Sequence, residues 1–403
     1  MTRVRQVHTC DAAGLAEHRT PRDDIVGERP DGPDRWSAVG GPFRRYERTL
    51  DAEDLGDGRF RVTENIDYRL AVPVWWWLFH LPVLRAVRDR RESFGYWWAP
   101  PDRLDARPAT VLGLLCTAQV IDGYLGTVLT QTLTFAADEF DRDNTAQGVV
   151  LAVVRVGVLL ALVTAAAADR HGRRRLLVIT GLGSCAFTAL GAFSPELWFL
   201  AFTQLVARGL STALGLLIVI VAAEEMPDRS RAWAMSVLVL AAGLGSGMAV
   251  WVLPVADLDI RAWRIIYLVP LLGLGVLAWV GRRLPETRRF EVASQVDGTA
   301  ADHHDDAPTR SRRRDRLVLL AVSAFLLAMF AAPASSLQND FLKDQRGFSA
   351  SRISLFTVIT STPAGLGVLA GGYLAETRGR RPVGAVGLVL GVSLATGAFF
   401  MSG

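Results

Sequence analysis

The sequence predicts an all-α polytopic membrane protein preceded by a small α+β region. Three observations carry this. Half of the 403 residues are hydrophobic, with a mean hydropathy of +0.25. The charged residues are gathered into short blocks. Between the blocks lie apolar runs of about 18 residues or more, long enough to cross a hydrocarbon core as helices. A backbone in lipid must satisfy its own hydrogen bonds, and no alternating ten-residue barrel pattern is visible, so helices are the expected spanning form.

The first 105 residues have a different character. Met1 to Arg35 is polar throughout, so no cleavable signal is expected. Tyr46 to Leu50 and Arg59 to Leu70 alternate in strand fashion around Leu55-Gly56-Asp57-Gly58, which predicts a hairpin. Leu70 to Arg91 then reads LAVPVWWWLFHLPVLRAVRDRR, too short to span and interrupted by Pro73 and Pro82. It fits an interfacial helix, with Trp75, Trp76 and Trp77 at headgroup level and Arg85, Arg88, Arg90 and Arg91 toward anionic lipid. The other reading is a core helix of a small soluble domain.

Nine spans follow, at about 108–132, 147–168, 176–194, 197–223, 232–254, 263–281, 317–336, 353–374 and 382–400. The predicted organisation is an N-terminal region 1–105, six helices within 106–290, a polar cytoplasmic linker 291–316 and three helices within 317–403. The loops between helices 2–3, 4–5, 6–7 and 8–9 hold eighteen Lys or Arg; the alternate loops hold six, counting Arg264 at the head of helix 6. One face is therefore basic. By the positive-inside rule that face and the N-terminus are cytoplasmic, in a multi-pass protein of the plasma membrane. Topology accounts for the arginines, and nucleic-acid binding is the poorer explanation. Cys10, Cys116 and Cys185 lack metal or disulfide spacing, and His303-His304 beside Asp302, Asp305 and Asp306 reads as disordered linker before it reads as a metal site. No cofactor is expected, and without a paired nucleophile and base or a metal site the chain does not read as an enzyme.

Two charged stretches repeat. Ala168 to Leu177 reads ADRHGRRRLL and, 207 positions on, Ala375 to Pro382 reads AETRGRRP. The same offset carries helices 1, 2 and 3 onto helices 7, 8 and 9. Six helices separate the copies, so both cross in the same direction, as a parallel repeat. Helices 4, 5 and 6 shifted alike would lie beyond residue 403. The expectation is nine of twelve helices, in a truncated or split protein whose missing C-terminal fragment would be a partner.

These loops resemble those of the major facilitator superfamily, whose loop between helices 2 and 3 runs Gly-x-Leu-Ala-Asp-Arg-x-Gly-Arg-Arg. Ala165 to Arg174 matches it at Ala168, Asp169, Arg170, Gly172, Arg173 and Arg174, with Ala165 in place of the first glycine. Gly372 to Arg381 keeps that glycine but puts Glu376 and Thr377 where the family has Asp and Arg, and retains Gly379, Arg380 and Arg381. Ala223 to Ala232, AEEMPDRSRA, is similar to the end of helix 4 in the sugar and aromatic-acid branches; Trp263-Arg264 and Leu284 to Arg288 resemble the two ends of helix 6. The resemblance implies a cytoplasmic ion-pair cluster of Asp169, Arg173, Arg174, Glu225, Arg231 and Glu286. Apart from any family, Gly172 and Gly379 permit tight reversals, and Asp169 and Glu376 can accept from N–H groups at a neighbouring helix N-terminus. The motifs read either as conformational latches or as topology anchors only.

Asp122, Arg155 and Arg208 lie inside spans, where an unpaired charge costs at least about 2.5 to 3.5 kcal/mol. At about 1.5 Å per residue, Asp122 lies about 21 Å from the inner edge and Arg155 about 20 Å. Pairing of Asp122 with Arg155 is therefore geometrically allowed, while the resemblance to proton-coupled branches favours an acid on helix 1 working with an arginine on helix 4. Asp122 is expected to take a proton, Arg208 or Arg155 to switch its affinity, and Gln119, Gln131 and Gln204 either to bind a polar substrate or to bridge helices. A structural buried ion pair is the alternative. Gly243 to Gly247, GLGSG, should let helices approach closely, and no Gly-Pro pair of the antiporter type follows it. The resemblance as a whole implies a secondary transporter that moves a small polar solute, an organic acid or a sugar, with a proton across the bilayer. The rival is a membrane sensor or scaffold, or an inactive carrier.

Overall fold

The structure is a computed structural model that describes residues 1–90, 96, 98–288, 315, 318–319, 321–326, 328–329 and 341–401. Most of the expected linker, the His303-His304 cluster and half of the expected span at 317–336 lie outside the described residues, as do the side chains of Asp169, Arg170, Glu376 and Arg380.

The N-terminal region comprises β1 (Thr2–Asp11), α1 (Ala12–Arg19), β2 (Gly27–Pro30), β3 (Arg35–Gly40), β4 (Phe43–Gly56), β5 (Arg59–Leu70) and α2 (Trp76–Arg88). The strands form one antiparallel sheet of order β1-β5-β4-β3-β2. Asp57 and Gly58, at φ +55° and +72°, close the expected hairpin as a two-residue turn matched to strand twist. Val62, Glu64, Ile66 and Tyr68 alternate inward along β5, and this face is covered by α1 and α2.

The face is not wholly apolar. Fully buried Arg48 donates to Glu28 (2.7 Å) and Glu64 (2.9 Å) and to the carbonyl of His18, and lies 3.8 Å from the Trp36 ring centroid. A buried guanidinium survives only when its charge and donors are all met, which this nest achieves.

Helix α2 joins the two readings made from its sequence. Val83, Ala86 and Val87 are buried against Val4, Ile25, Phe43 and Ile66, making it a core helix, while Trp76, Trp77, Leu78 and Leu81 are exposed. Trp75 departs from the expected headgroup position. Its indole N–H donates to the Gly113 carbonyl and the Thr117 hydroxyl, both at 3.1 Å, locking it onto the first membrane helix.

That helix is α3 (Ala106–Glu139), followed by α4 (Asn144–Val156), α5 (Leu159–His171), α6 (Arg173–Gly191), α7 (Leu197–Glu225), α8 (Arg231–Val252), α9 (Trp263–Leu268), α10 (Pro270–Arg283), α11 (Ala350–Arg378) and α12 (Arg380–Met401). Among the described residues six segments are long and apolar enough to cross a membrane: 106–139, 144–161, 197–225, 228–257, 263–283 and 350–375. Helices also occupy the positions expected for spans at 176–194 and 382–400.

Two expected single helices are interrupted. The segment at 147–168 breaks at Gly157 because α7 crosses there: a Cβ on Gly157 would stand 2.1 Å from the Leu205 carbonyl oxygen, and one on Gly209 would stand 2.4 Å from the Gly157 oxygen. The segment at 263–281 breaks at Pro270, which has no N–H to donate. Elsewhere α3 and α8 touch backbone to backbone, Gly123 on Ala242 and Gly245 on Val120. Of the GLGSG glycines only Gly245 lies in that contact; Gly243 and Gly247 face open space. Cys116 and Cys185 are buried filler, and Cys10 is half-buried.

Candidate functional site

The buried acid comes first. Asp122 sits in the middle of α3 and accepts hydrogen bonds from the Ser211 hydroxyl of α7 (2.6 Å) and from the Gln119 amide one turn below it (3.0 Å). Gly215, one turn beyond Ser211, makes room for it, since a Cβ there would lie 2.9 Å from the carboxylate. Arg208, also on α7, does not pair with Asp122 within 4 Å among the described residues. Its guanidinium donates instead to the Gly126 carbonyl (2.6 Å), one turn further along α3. Both Asp122 and Arg155 lie within electrostatic reach of Arg208. The expected ion pair is thus replaced by a hydrogen-bonded carboxylate with the Arg208 guanidinium nearby. Gly126 explains the difference: a Cβ there would stand 3.3 Å from the Arg208 guanidinium, so its absence lets Arg208 reach the backbone carbonyl before the acid.

Ser211 is absent from the residues singled out by sequence, although a signal for it existed. Gln204, Arg208, Ser211 and Gly215 recur at helical spacing and form a polar or small stripe on one side of α7. Gln119 joins Asp122. Gln204 does not: it is buried, and its amide nitrogen has no hydrogen-bond partner among the described residues. Gln131 lies half-buried toward the C-terminal end of α3.

The second feature is the arginine-rich end. Gly172 and Gly379 each form a one-residue reversal between two helices, at φ +89° and +96°. The N-terminus of α6, which starts at Arg173, meets the carboxylate of Glu286, which the resemblance groups with Arg173 and Arg174. Glu286, past the end of α10, accepts from the backbone N–H groups of Arg173 (3.1 Å) and Arg174 (3.2 Å), where its charge meets the positive end of the helix dipole. Arg173 pairs with Glu224 (2.9 Å) and Arg174 donates to the Gly281 carbonyl (2.7 Å). Glu225 pairs with Arg107 (3.1 Å) and accepts from the Arg288 N–H (2.9 Å). Arg107 and Glu224 were not foreseen, and Arg231 stands apart from the cluster. Arg231 is half-exposed and pairs with Asp228 three residues earlier, because the short turn Asp228–Ser230 puts that partner within easier reach. Arg381 is exposed.

All of these described contacts stay within the first six helices. The described hydrogen bonds and ion pairs that reach the second set lie at the opposite end, although α11 also packs along α8 toward the arginine end, where a Cβ on Gly372 would stand 2.2 Å from the Ser236 hydroxyl. Asp257, in the short turn five residues past the end of α8, accepts from the N–H groups of Ala350 and Ser351 (2.9 Å each) and from the Ser351 hydroxyl (2.7 Å), capping α11. Lys343 pairs with Asp138 beside it, and Ser354 donates to the Val250 carbonyl (2.8 Å). At this end Glu139 also binds Arg264 (2.8 Å) and the Trp263 indole (2.7 Å), tying α3 to α9.

The profile of the Major Facilitator Superfamily matches residues 115–403. A protein of Haemophilus influenzae named for metabolite transport is 28% identical over 229 residues, 54% of each chain. A gallate transporter of Pseudomonas putida is 27% identical over 212 residues, 48% of this chain and 45% of its own. The chain spans about half the length of these curated relatives. Among solved structures, a bacterial homolog of the human lysosomal transporter Spinster, inward-facing and unoccupied, superposes with a TM-score of 0.52 at 18% identity, over 68% of this chain and 64% of that one. The family and its relatives carry the names of transporters and not of enzymes. With its repeated arginine loops, its one-residue glycine reversals and this match over most of its length, the chain belongs to the major facilitator superfamily.

Proposed function

We propose that the chain moves a small polar solute, an organic acid or a sugar, together with a proton, by alternating access. The observation that carries this is Asp122: a carboxylate inside a span, held by Ser211 and Gln119 but without an ion pair within 4 Å among the described residues. In lipid such a charge is expensive unless neutralised, so protonation and the approach of Arg208 are two competing ways to settle it. A proton arriving at Asp122 leaves Arg208 to an anionic substrate, which agrees with a relative named for gallate. The orientation rests on the positive-inside rule, which puts the arginine loops and residues 1–105 in the cytoplasm of a cell whose plasma membrane holds residues 106–290 as one half and 317–403 as part of the other.

The test is transport by the full chain in proteoliposomes, with gallate and a pentose as probes under an imposed proton gradient. Asp122→Asn should abolish gradient-driven accumulation and leave counterflow exchange partly intact. Accumulation that survives unchanged removes Asp122 as the coupling acid.

A further inference from the structure

A second charged feature lies away from the transport residues, where the N-terminal sheet meets the end of α10. A cleft of about 350 Å³ there is lined by Arg44, Arg69 and Arg283 together with Tyr68, Trp76 and Trp279. None of the three arginines has a carboxylate within 4 Å among the described residues, in contrast to Arg3, Arg35 and Arg45 on the same sheet, which pair with Asp67, Glu47 and Glu47. Arg44 sits at a register shift in β4 between Phe43 and Arg45, and such a bulge re-aims a side chain. Arg69 stands opposite Arg45 across the β4–β5 ladder, a like-charge pair that weakens a sheet unless an anion offsets it. Arg283 lies 4.7 Å from the Trp279 ring centroid. The Tyr68 hydroxyl, on a side chain 1% exposed, has no hydrogen-bond partner among the described residues.

The depth of the cleft identifies the occupant. Trp75, adjoining Trp76, is bonded to Gly113 and Thr117, seven and eleven residues into α3 from Ala106. At about 1.5 Å per residue that is about 10 to 16 Å along the helix, which brings the start of α2 to the level of hydrocarbon. The exposed Trp76, Trp77, Leu78 and Leu81 therefore face acyl chains, beside a cleft that gathers unpaired guanidinium groups. We infer that the cleft binds the headgroup of an anionic phospholipid of the arginine-rich leaflet, with its acyl chains along Trp76, Trp77, Leu78 and Leu81. The lipid bridges the sheet to α10. Which leaflet this is rests on the orientation proposed above; the binding itself does not depend on transport.

Native mass spectrometry of the purified full chain, offered dioleoyl phosphatidylglycerol or dioleoyl phosphatidylcholine, tests it without any transport readout. Phosphatidylglycerol should be retained about tenfold better, as expected for several arginines at an anionic headgroup. The triple variant Arg44→Gln, Arg69→Gln, Arg283→Gln should fall to the phosphatidylcholine level, while Arg85→Gln should not. Equal retention of the two lipids by the unaltered chain overturns the assignment, whatever the variants do. Unchanged retention in the triple variant overturns it as well, and so does displacement by millimolar inorganic phosphate, which would make a soluble anion the occupant.

Discussion

Gly172 and Gly379, 207 residues apart, hold nearly the same left-handed backbone conformation, φ +89° and ψ 139° in one and φ +96° and ψ 144° in the other. Each is the single residue between two helices, so the repeat visible in the sequence is also a repeat of backbone geometry. L side chains rarely adopt this region, and forcing one there costs about 1 to 3 kcal/mol. Gly172→Ala and Gly379→Ala should each lower the thermal midpoint of the protein in detergent. Swapping either glycine for Ala without a measurable loss would mean that its reversal relaxes into another conformation.

Gly215→Ala separates stability from function. In an ordinary helix this change gains up to about 1 kcal/mol of helix propensity. Here the new Cβ would stand 2.9 Å from the Asp122 carboxylate and push it off Ser211. The melting temperature should hold or rise while proton-driven uptake falls severalfold. Uptake at the original rate would show that the position of the carboxylate does not matter.

Asp257→Ala removes three acceptor contacts that join the turn past α8 to the start of α11. Loss of a helix cap typically costs about 1 kcal/mol. Because this cap bridges the two sets of helices, its loss should let their ends part. Spin labels at the exposed positions Asp259 and Arg352 should then report a longer and broader distance distribution than in the parent protein. An identical distribution would make Asp257 a local cap and nothing more.

The N-terminal sheet should be alkali-sensitive through Tyr46. Burial, and then the neighbouring charge of Glu28, to which the phenol donates at 2.6 Å, push its pKa well above the ordinary value. The unfolded chain releases that proton near pH 10, so above that pH unfolding gains from an ionisation that the folded state resists. The contribution of Tyr46 is thus intact below pH ~10 and is lost as the pH climbs past it. In the full chain, the sheet band of the amide I infrared spectrum should decline above pH ~10, and Tyr46→Phe should make the decline shallower.

How much of this was legible in the sequence depended on the kind of signal. The hairpin around Asp57-Gly58, the spanning helices at 106–139 and 197–225 and both glycine reversals follow from local pattern: alternation, apolar length and a residue without a side chain. The charges inside spans were legible too, because their cost in lipid does not depend on what surrounds them. Partner choice was not. Glu286 rather than a residue of the arginine loop meets the N-terminus of α6, Arg107 meets Glu225, and Arg208 reaches Gly126 and not Asp122. Each of these depends on distances between helices far apart in the chain. The breaks at Gly157 and the backbone contact at Gly245 likewise depend on which helix crosses there.

By itself, then, the sequence determined which segments enter the membrane, which end is basic and where the chain reverses, since transfer free energy and backbone sterics act residue by residue. Only the tertiary structure decided which acid meets which base and which residues join the two sets of helices. Those contacts exist at separations of a few ångströms, and packing sets such separations.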